Sequence, residues 1–232
     1  MPGPAVPALT DFPRPSLAVD TTVFTVVDGE LMLLLVTDPD GATGAAGTDS
    51  AGATGAGETR LLPGTFVHER ERLRDAVLRS QRDKAGIGGR EPRQLHVYDD
   101  PDRDDRGWVV TVAHLDVVAP RVVEEGLAAG QVVLVPAAEA VPGGSIALPW
   151  DHPRMVAAAI ERIRREYAEA PDPWRVLDVP FTLGDLRALH EAVLGEELQR
   201  DSFRRHMEPR LASTGEMSDG RRGRPSRLFT HV

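Results

Sequence analysis

Alternating apolar and polar positions mark the first structured stretch of the chain. Leu17 to Val27 and Leu31 to Thr37 are rich in β-branched and apolar residues and are joined by Asp28-Gly29. Both residues of that dipeptide tolerate positive φ, which a two-residue hairpin turn requires. The core is therefore expected to start with a β-hairpin. Within Arg70 to Ala85 the period changes, because Leu73, Val77 and Leu78 fall at helical spacing and Gly86 follows as a C-cap. Gln94 to Tyr98, Trp108 to Val118 and Val132 to Pro136 read as strands, the first two linked by the Asp- and Arg-rich turn Asp99 to Gly107. A long helix is expected from a cap at Asp151 through Ala168, with Val156, Ile160, Ile163 and Tyr167 in one stripe. That stripe fits burial on the helix's own domain and burial in a subunit interface equally well. Mixed strands with flanking helices give an α+β sandwich.

Ala170-Pro171-Asp172-Pro173 breaks the long helix and makes a semi-rigid connection. Beyond it, Thr182 can cap a helix with Asp185 in its first turn and an apolar stripe of Leu183, Leu186, Leu189, Ala192 and Val193, ended by Gly195. A second helix runs from Asp201 or Ser202 to about Glu208, where Pro209 stops it. Thr214 to Val232 then reads as a hairpin whose tip, Gly220 to Pro225, is densely cationic. Helix, short connection, helix and basic hairpin is the order of a winged helix-turn-helix. The expected division is a proline-rich disordered arm at 1–15, a sandwich domain at 16–150, a linking or dimerisation helix at 151–175 and the winged helix at 176–232. Within the sandwich, 38–59 is so rich in Gly, Ala, Thr and Ser that it reads as a flexible insertion.

Composition changes this picture in two respects. The 232 residues suffice for two domains, and the absence of cysteine excludes disulfides, zinc-thiolate sites and a cysteine nucleophile, as suits a reducing cytoplasm. No apolar run approaches the roughly 20 residues of a membrane helix. The net charge of -9 argues against nucleic acid until its distribution is read. From Gln199 onward eight arginines face four carboxylates, whereas the remainder carries 19 basic and 32 acidic residues. One basic end on an acidic body fits docking on a polyanion, and equally a solvated tail.

Candidate chemistry lies around the first helix. Leu62-Pro63-Gly64-Thr65-Phe66-Val67 and the helix after it resemble the Nudix signature, G-x5-E-x7-R-E-U-x-E-E-x-G-U with U apolar, aligned on Glu71, Arg79, Gly86 and Ile87. The first signature glycine then falls on Thr65, and the three helix-end carboxylates fall on Ser80, Asp83 and Lys84. In active Nudix members the carboxylates at those positions hold Mg²⁺ on one helical face. Here a lysine would repel the metal and could pair with a phosphate. The expected site therefore binds a nucleoside diphosphate derivative without cleaving it, through Phe66, Glu71, Arg79, Asp83 and Lys84. A plain solvated helix face explains Arg79, Asp83 and Lys84 as well. The seven histidines show no metal-binding pairing, and Ser80 has no context marking it as a nucleophile.

Six segments in order carry a wider likeness: Leu62 to Val67, Asp102 to Gly107 before Val109 to Ala113, Pro180 to Leu183, Phe203 to Arg205, Thr214 to Glu216, and Gly223 to Leu228. Together they resemble the Nudix-related transcriptional regulators, in which a Nudix-like α/β/α sandwich with a mixed sheet senses ADP-ribose and a C-terminal winged helix represses genes, often of NAD metabolism. The resemblance implies a homodimer on double-stranded DNA. It places Arg200, Ser202, Arg204 and Arg205 at the major groove, and Arg221, Arg222, Arg224 and Arg227 of the wing at phosphates or the minor groove. No catalytic residue, metal or cofactor is expected. The rival readings are an active Nudix hydrolase holding Mg²⁺ through Glu69, Glu71, Asp75 and Asp83, and a winged helix that binds protein.

Overall fold

The structure is a computed structural model that describes residues 8, 11–38, 59–88, 92–219 and 225–232. The expected insertion lies outside these residues apart from its two ends, as do most of the N-terminal arm and the wing tip with Arg221, Arg222 and Arg224. The hairpin forms as the alternation predicts. β1 (Ser16–Val27) and β2 (Glu30–Asp38) pair antiparallel from Val27 opposite Glu30. Asp28 and Gly29 turn between them at φ 51° and 80°, the two positive values that match the twist of the flanking strands.

Seven strands make one mixed sheet. β3 (Thr59–Leu61), β4 (Gly64–Phe66), β5 (Arg93–Tyr98), β6 (Val109–Val117) and β7 (Val132–Pro136) join the hairpin, with β3, β2, β1, β6 and β5 in line, β4 also on β1 and β7 also on β2. All pairs are antiparallel except β1 with β6, which run parallel from Ser16 opposite Val109 to Phe24 opposite Val117.

Period-two alternation sorts the sheet's two faces. Val19 on β1 packs with Ala76 and Val77 of α1 (Leu73–Ala85), whereas Phe24, Leu33 and Leu35 pack with Met155, Val156 and Ile163 of the long helix. The α1 C-terminus closes as predicted, with Gly86 at φ 66° and the Ile87 N–H donating to the Gln81 carbonyl. Its N-terminus begins at Leu73, three residues later than the sequence pattern suggests.

After the short α2 (Glu124–Ala128) comes the long α3 (His152–Glu169). The stripe of Val156, Ile160, Ile163 and Tyr167 is buried in the protein's own core, together with Leu189 and Val193 from the C-terminal segment. The question left by the spacing is thus settled within one chain: this face is used up before any partner could meet it. Asp151 stands before α3 without capping it, because its carboxylate is engaged elsewhere.

The C-terminal unit contains β8 (Phe181–Thr182), α4 (Leu183–Leu194), α5 (Arg200–Met207), β9 (Leu211–Met217) and β10 (Arg227–His231), with β10 central in its three-stranded sheet. Thr182 and Asp185 form a reciprocal capping box at the start of α4, and Gly195 ends that helix at φ 75°. Gln199 caps α5 by accepting from the Ser202 N–H. Phe181, Leu186, Phe203, Met207 and Phe229 form the unit's own small core.

Candidate ligand cleft and DNA-reading face

A cleft of about 140 Å³ opens where β1, β4, α1 and the start of α3 meet. Asp20 lies at its base, on the β1 face that looks toward α3. Its carboxylate accepts from the Thr111 hydroxyl at 2.8 Å and lies 3.6 Å from His152 Nε2. Burial alone would raise this carboxyl, but His152, Thr111 and Arg103 outweigh it and hold the group below the usual carboxylate range. Gly64 leaves room for it. A Cβ at position 64 would stand 2.1 Å from Asp20 Oδ1 and 3.0 Å from the Val19 carbonyl. Gly64→Ala is therefore expected to lower stability by about 1–3 kcal/mol as the strand or Asp20 is displaced. An unchanged urea midpoint would contradict that packing.

The Asp- and Arg-rich turn supplies one wall. Arg103, almost fully buried, forks onto Asp151 at 2.8 and 2.6 Å, and this pairing is what removes Asp151 from capping duty. Arg106 forks onto Asp104 at 2.8 and 2.6 Å. The same guanidinium lies over two aromatic rings, 4.5 Å from the centre of Trp150 and 5.3 Å from that of Phe66. Trp150 is fixed by its indole N–H donating to Asp105 at 3.2 Å and by edge contact with His152.

Of the residues singled out in the sequence, Phe66 and Lys84 line this cleft. Glu71 and Arg79 are joined to each other. The Arg79 guanidinium donates to both Glu71 oxygens at 2.9 Å, to Thr65 Oγ1 at 3.2 Å and to the Phe66 carbonyl at 3.0 Å. They act as a latch that sets the Phe66 loop, and hydrogen bonds from Arg79 hold the Glu71 carboxyl down at about 2. Asp83 is not among the lining residues; it stands on the exposed side of α1 beside Arg82 at 2.8 Å. Ser80 is buried, and its hydroxyl has no hydrogen-bond partner among the described residues. The Mg²⁺ of active Nudix members does not fit this donor set: of the three aligned positions one is a buried hydroxyl, one an outward carboxylate and one a cation. Among the described residues no group of three or more His, Cys, Asp or Glu could hold a metal ion.

Sequence reasoning missed Asp20, Arg103, Arg106, Trp150 and His152 as site residues. Asp102 to Gly107 stood out as a motif, but nothing local shows that it folds against residues some 45 positions later.

The second candidate surface is on the winged helix. Phe203 and Met207, four apart on α5, point into the small core, which leaves Arg200, Ser202, Arg204 and Arg205 exposed. Arg204 stands 3.6 Å from Asp201 and Arg205 donates to Ser202 at 3.3 Å, both weak surface pairings that a polyanion can displace. Arg227 of β10 faces the same groove, a cavity of about 480 Å³ between the α4 start, α5 and β10. Arg187 of α4 adds a cation there that the sequence reading did not pick out.

Between the two surfaces lies a buried junction. Asp172, just past α3, accepts from the Tyr167 hydroxyl at 3.2 Å, from the Val176 and Leu177 N–H groups at 2.9 Å, and is 3.0 Å from His231 Nε2 of β10. His190 of α4 meets the edges of Tyr167 and Phe203 at 5.0 Å each, so one ring touches α3 and the reading helix together. Burial pushes the His190 imidazole down to about 4. Between pH 6.5 and 4 the unfolded chain binds a proton here that the folded chain refuses. This contribution to stability is complete above pH 6.5 and is lost as pH falls toward 4. His190→Leu is expected to flatten that slope in thermal melts across the window. An identical pH profile in the variant would contradict the assignment.

A sandwich domain with a charged cleft, joined by one helix to an arginine-faced winged helix, defines a two-module sensor and reader. The comparisons agree with both modules. Residues 173–230 match the family described as the NrtR DNA-binding winged helix domain. The crystal structure of Shewanella oneidensis NrtR complexed with a 27mer DNA superposes with a TM-score of 0.74 at 30% identity, covering 93% of each chain. The Nudix domain of the same protein complexed with ADP ribose gives a TM-score of 0.50 at 26% identity, over 67% of this chain and 92% of that one. The ADPR responsive transcriptional repressor NtrR of Acinetobacter baylyi is 25% identical over 227 residues, 95% of this chain and 83% of its own length. The chain belongs to the NrtR family of Nudix-related transcriptional regulators.

Proposed function

We propose that this protein is a DNA-binding transcriptional repressor whose Nudix-like domain senses ADP-ribose and does not hydrolyse it. The observation that carries this reading is the placement of the two surfaces at opposite ends of α3. Its first residue, His152, lines the cleft, and its second half meets α4 and the segment between α5 and the wing. Arg164 donates to the Val193 carbonyl at 3.3 Å, and the Glu169 carbonyl accepts from Arg210 at 2.8 Å. Eighteen helical residues span about 27 Å as one rigid rod. Ligand in the cleft shifts the DNA equilibrium only if it binds one arrangement of rod and wing better than the other, and linkage then makes DNA weaken ligand binding by the same factor.

The bound small molecule is a nucleoside diphosphate sugar, for which Lys84 offers positive charge and Phe66 an aromatic surface. Arg200, Ser202, Arg204, Arg205 and Arg227 meet double-stranded DNA, as do Arg221, Arg222 and Arg224, which lie outside the described residues. A homodimer would set two α5 helices on half-sites one helical turn apart; the buried α3 stripe is not the surface that pairs the copies. Glu69, Glu71, Asp75 and Asp83 do not form the metal site of the hydrolase alternative, since Glu71 is spent on Arg79.

The test is incubation of pure protein with ADP-ribose and Mg²⁺, with calorimetry of ADP-ribose binding beside it. Binding without release of AMP and ribose 5-phosphate is expected. Mg²⁺-dependent release at enzymatic rates would contradict the non-hydrolytic reading and favour the hydrolase.

A further inference from the structure

We infer that Arg93 is a positioning residue for regulation: its grip on the connection between α3 and the winged helix fixes the orientation of the reading head, and ligand in the cleft acts on DNA binding by way of that grip. This rests on the sensor reading above.

Arg93 opens β5 and reaches a segment 80 positions away. Its guanidinium donates to Glu166 Oε2 of α3 at 3.1 Å and to the Pro173 carbonyl at 2.9 Å, and it lies 3.9 Å from the centre of the Trp174 ring. One flat cation thus holds the end of the rod, the backbone just past it and the ring that follows. The pairing of β5 with β6 shifts register between Gln94 and His96, next to Arg93, and such irregularities re-aim a side chain. Trp174 is buried beneath the cation, whereas the Arg93 side chain is 45% exposed. Water can therefore take over its hydrogen bonds, so the grip is reversible.

The gripped segment is built as a hinge. Asp172 and Arg175 both adopt positive φ, 43° and 53°, on either side of Pro173 and Trp174. Side chains other than glycine are strained there, and such strain gathers at switching segments. Beyond the hinge, Leu189 and Val193 of α4 pack on the main core, but apolar packing has no direction and restrains rotation weakly. Hydrogen bonds and a flat cation on a ring do fix direction.

The same strand leads back to the cleft. Tyr98, the last residue of β5, pairs with Thr111, whose hydroxyl donates to Asp20 at the cleft base. Burial and the nearby Asp151 carboxylate, which Arg103 grips, push the Tyr98 phenol up. From Tyr98 to Arg93 the strand covers about 17 Å. It closes one end of the sheet, with β6 as its one neighbour among the described residues, so it can shift without breaking a second ladder. β5 is thereby a second strut beside α3, joining cleft and hinge.

The experiment is a titration of the full chain against DNA from upstream of its own gene, at fixed salt, with and without saturating ADP-ribose, in wild type, Arg93→Ala, Arg93→Lys and Arg121→Ala. What is read is the ratio of the two dissociation constants, which a merely less stable variant leaves unchanged because both arms weaken together. In wild type ADP-ribose is expected to raise the dissociation constant by roughly 5- to 150-fold, the usual range of coupling between two sites, and in Arg93→Ala the ratio should drop to within about twofold of one. Arg93→Lys keeps the charge and most of the bulk, so it decides the matter if the alanine variant unfolds. An ammonium cannot lie flat on Trp174 while reaching two oxygens, so its ratio should drop as well. Arg121→Ala removes an exposed pair with Asp178, the other tie between sandwich and connection, and should keep the wild-type ratio. A wild-type ratio in either folded Arg93 variant would overturn the inference while leaving the sensor intact, and so would an equal loss in Arg121→Ala. No effect of ADP-ribose in wild type would be the failure of the sensor reading, and would overturn this inference with it.

Discussion

Replacing Arg204 and Arg205 together by alanine is expected to weaken specific DNA binding by about a hundredfold or more, since each arginine at a base edge or phosphate contributes about 1–3 kcal/mol. Both side chains are exposed, and Phe203 between α4 and α5 keeps the helix packed, so thermal stability should not change. The dependence on salt is the second readout. Phosphate contacts release counterions, so the variant should show a shallower fall of affinity with ionic strength. Affinity within about threefold of wild type at matched salt would remove α5 from the interface.

Asp172→Ala carries the largest expected loss of stability, about 3–5 kcal/mol, because it strips a buried acceptor from the Tyr167 hydroxyl, two backbone N–H groups and His231 at once. The Tyr167 hydroxyl is already pushed well above its usual range by burial and by this neighbouring carboxylate, so it stays a neutral donor. Asp172→Asn keeps an acceptor oxygen in place and should lose less. Its second consequence is functional: the contact from Asp172 to His231 ties the last strand of the wing to the end of α3. A variant that unfolds at the wild-type urea concentration would contradict the hub.

Local chemistry made much of the fold legible. Asp28-Gly29 names its own turn, Gly86 and Gly195 occupy the left-handed caps they suit, and Thr182 with Asp185 closes a capping box that spacing alone foretold in part. Where a local partner met no competitor from elsewhere in the chain, as at these turns and caps, the reading succeeded. The parallel pairing of β1 with β6 was not legible, because residues about 90 positions apart carry no mutual signal in a single sequence. The cleft suffers from the same limit: Asp20, Trp150 and His152 meet only after the chain has closed. Asp151 shows how tertiary contacts override local preference. It stands where an N-cap belongs, yet the Arg103 fork, charge-assisted and bidentate, outcompetes a backbone N–H for its oxygens. Of the residues that the aligned signature picks out on α1, helix rotation turns Asp83 outward while Lys84 reaches the cleft.

The most direct test of a ligand-relieved DNA reader is a gel-shift titration of the pure protein against DNA from upstream of its own gene, at fixed salt, with and without saturating ADP-ribose. Specific retardation that ADP-ribose releases is the predicted result. Specific retardation that saturating ADP-ribose leaves unchanged would contradict the coupling through α3.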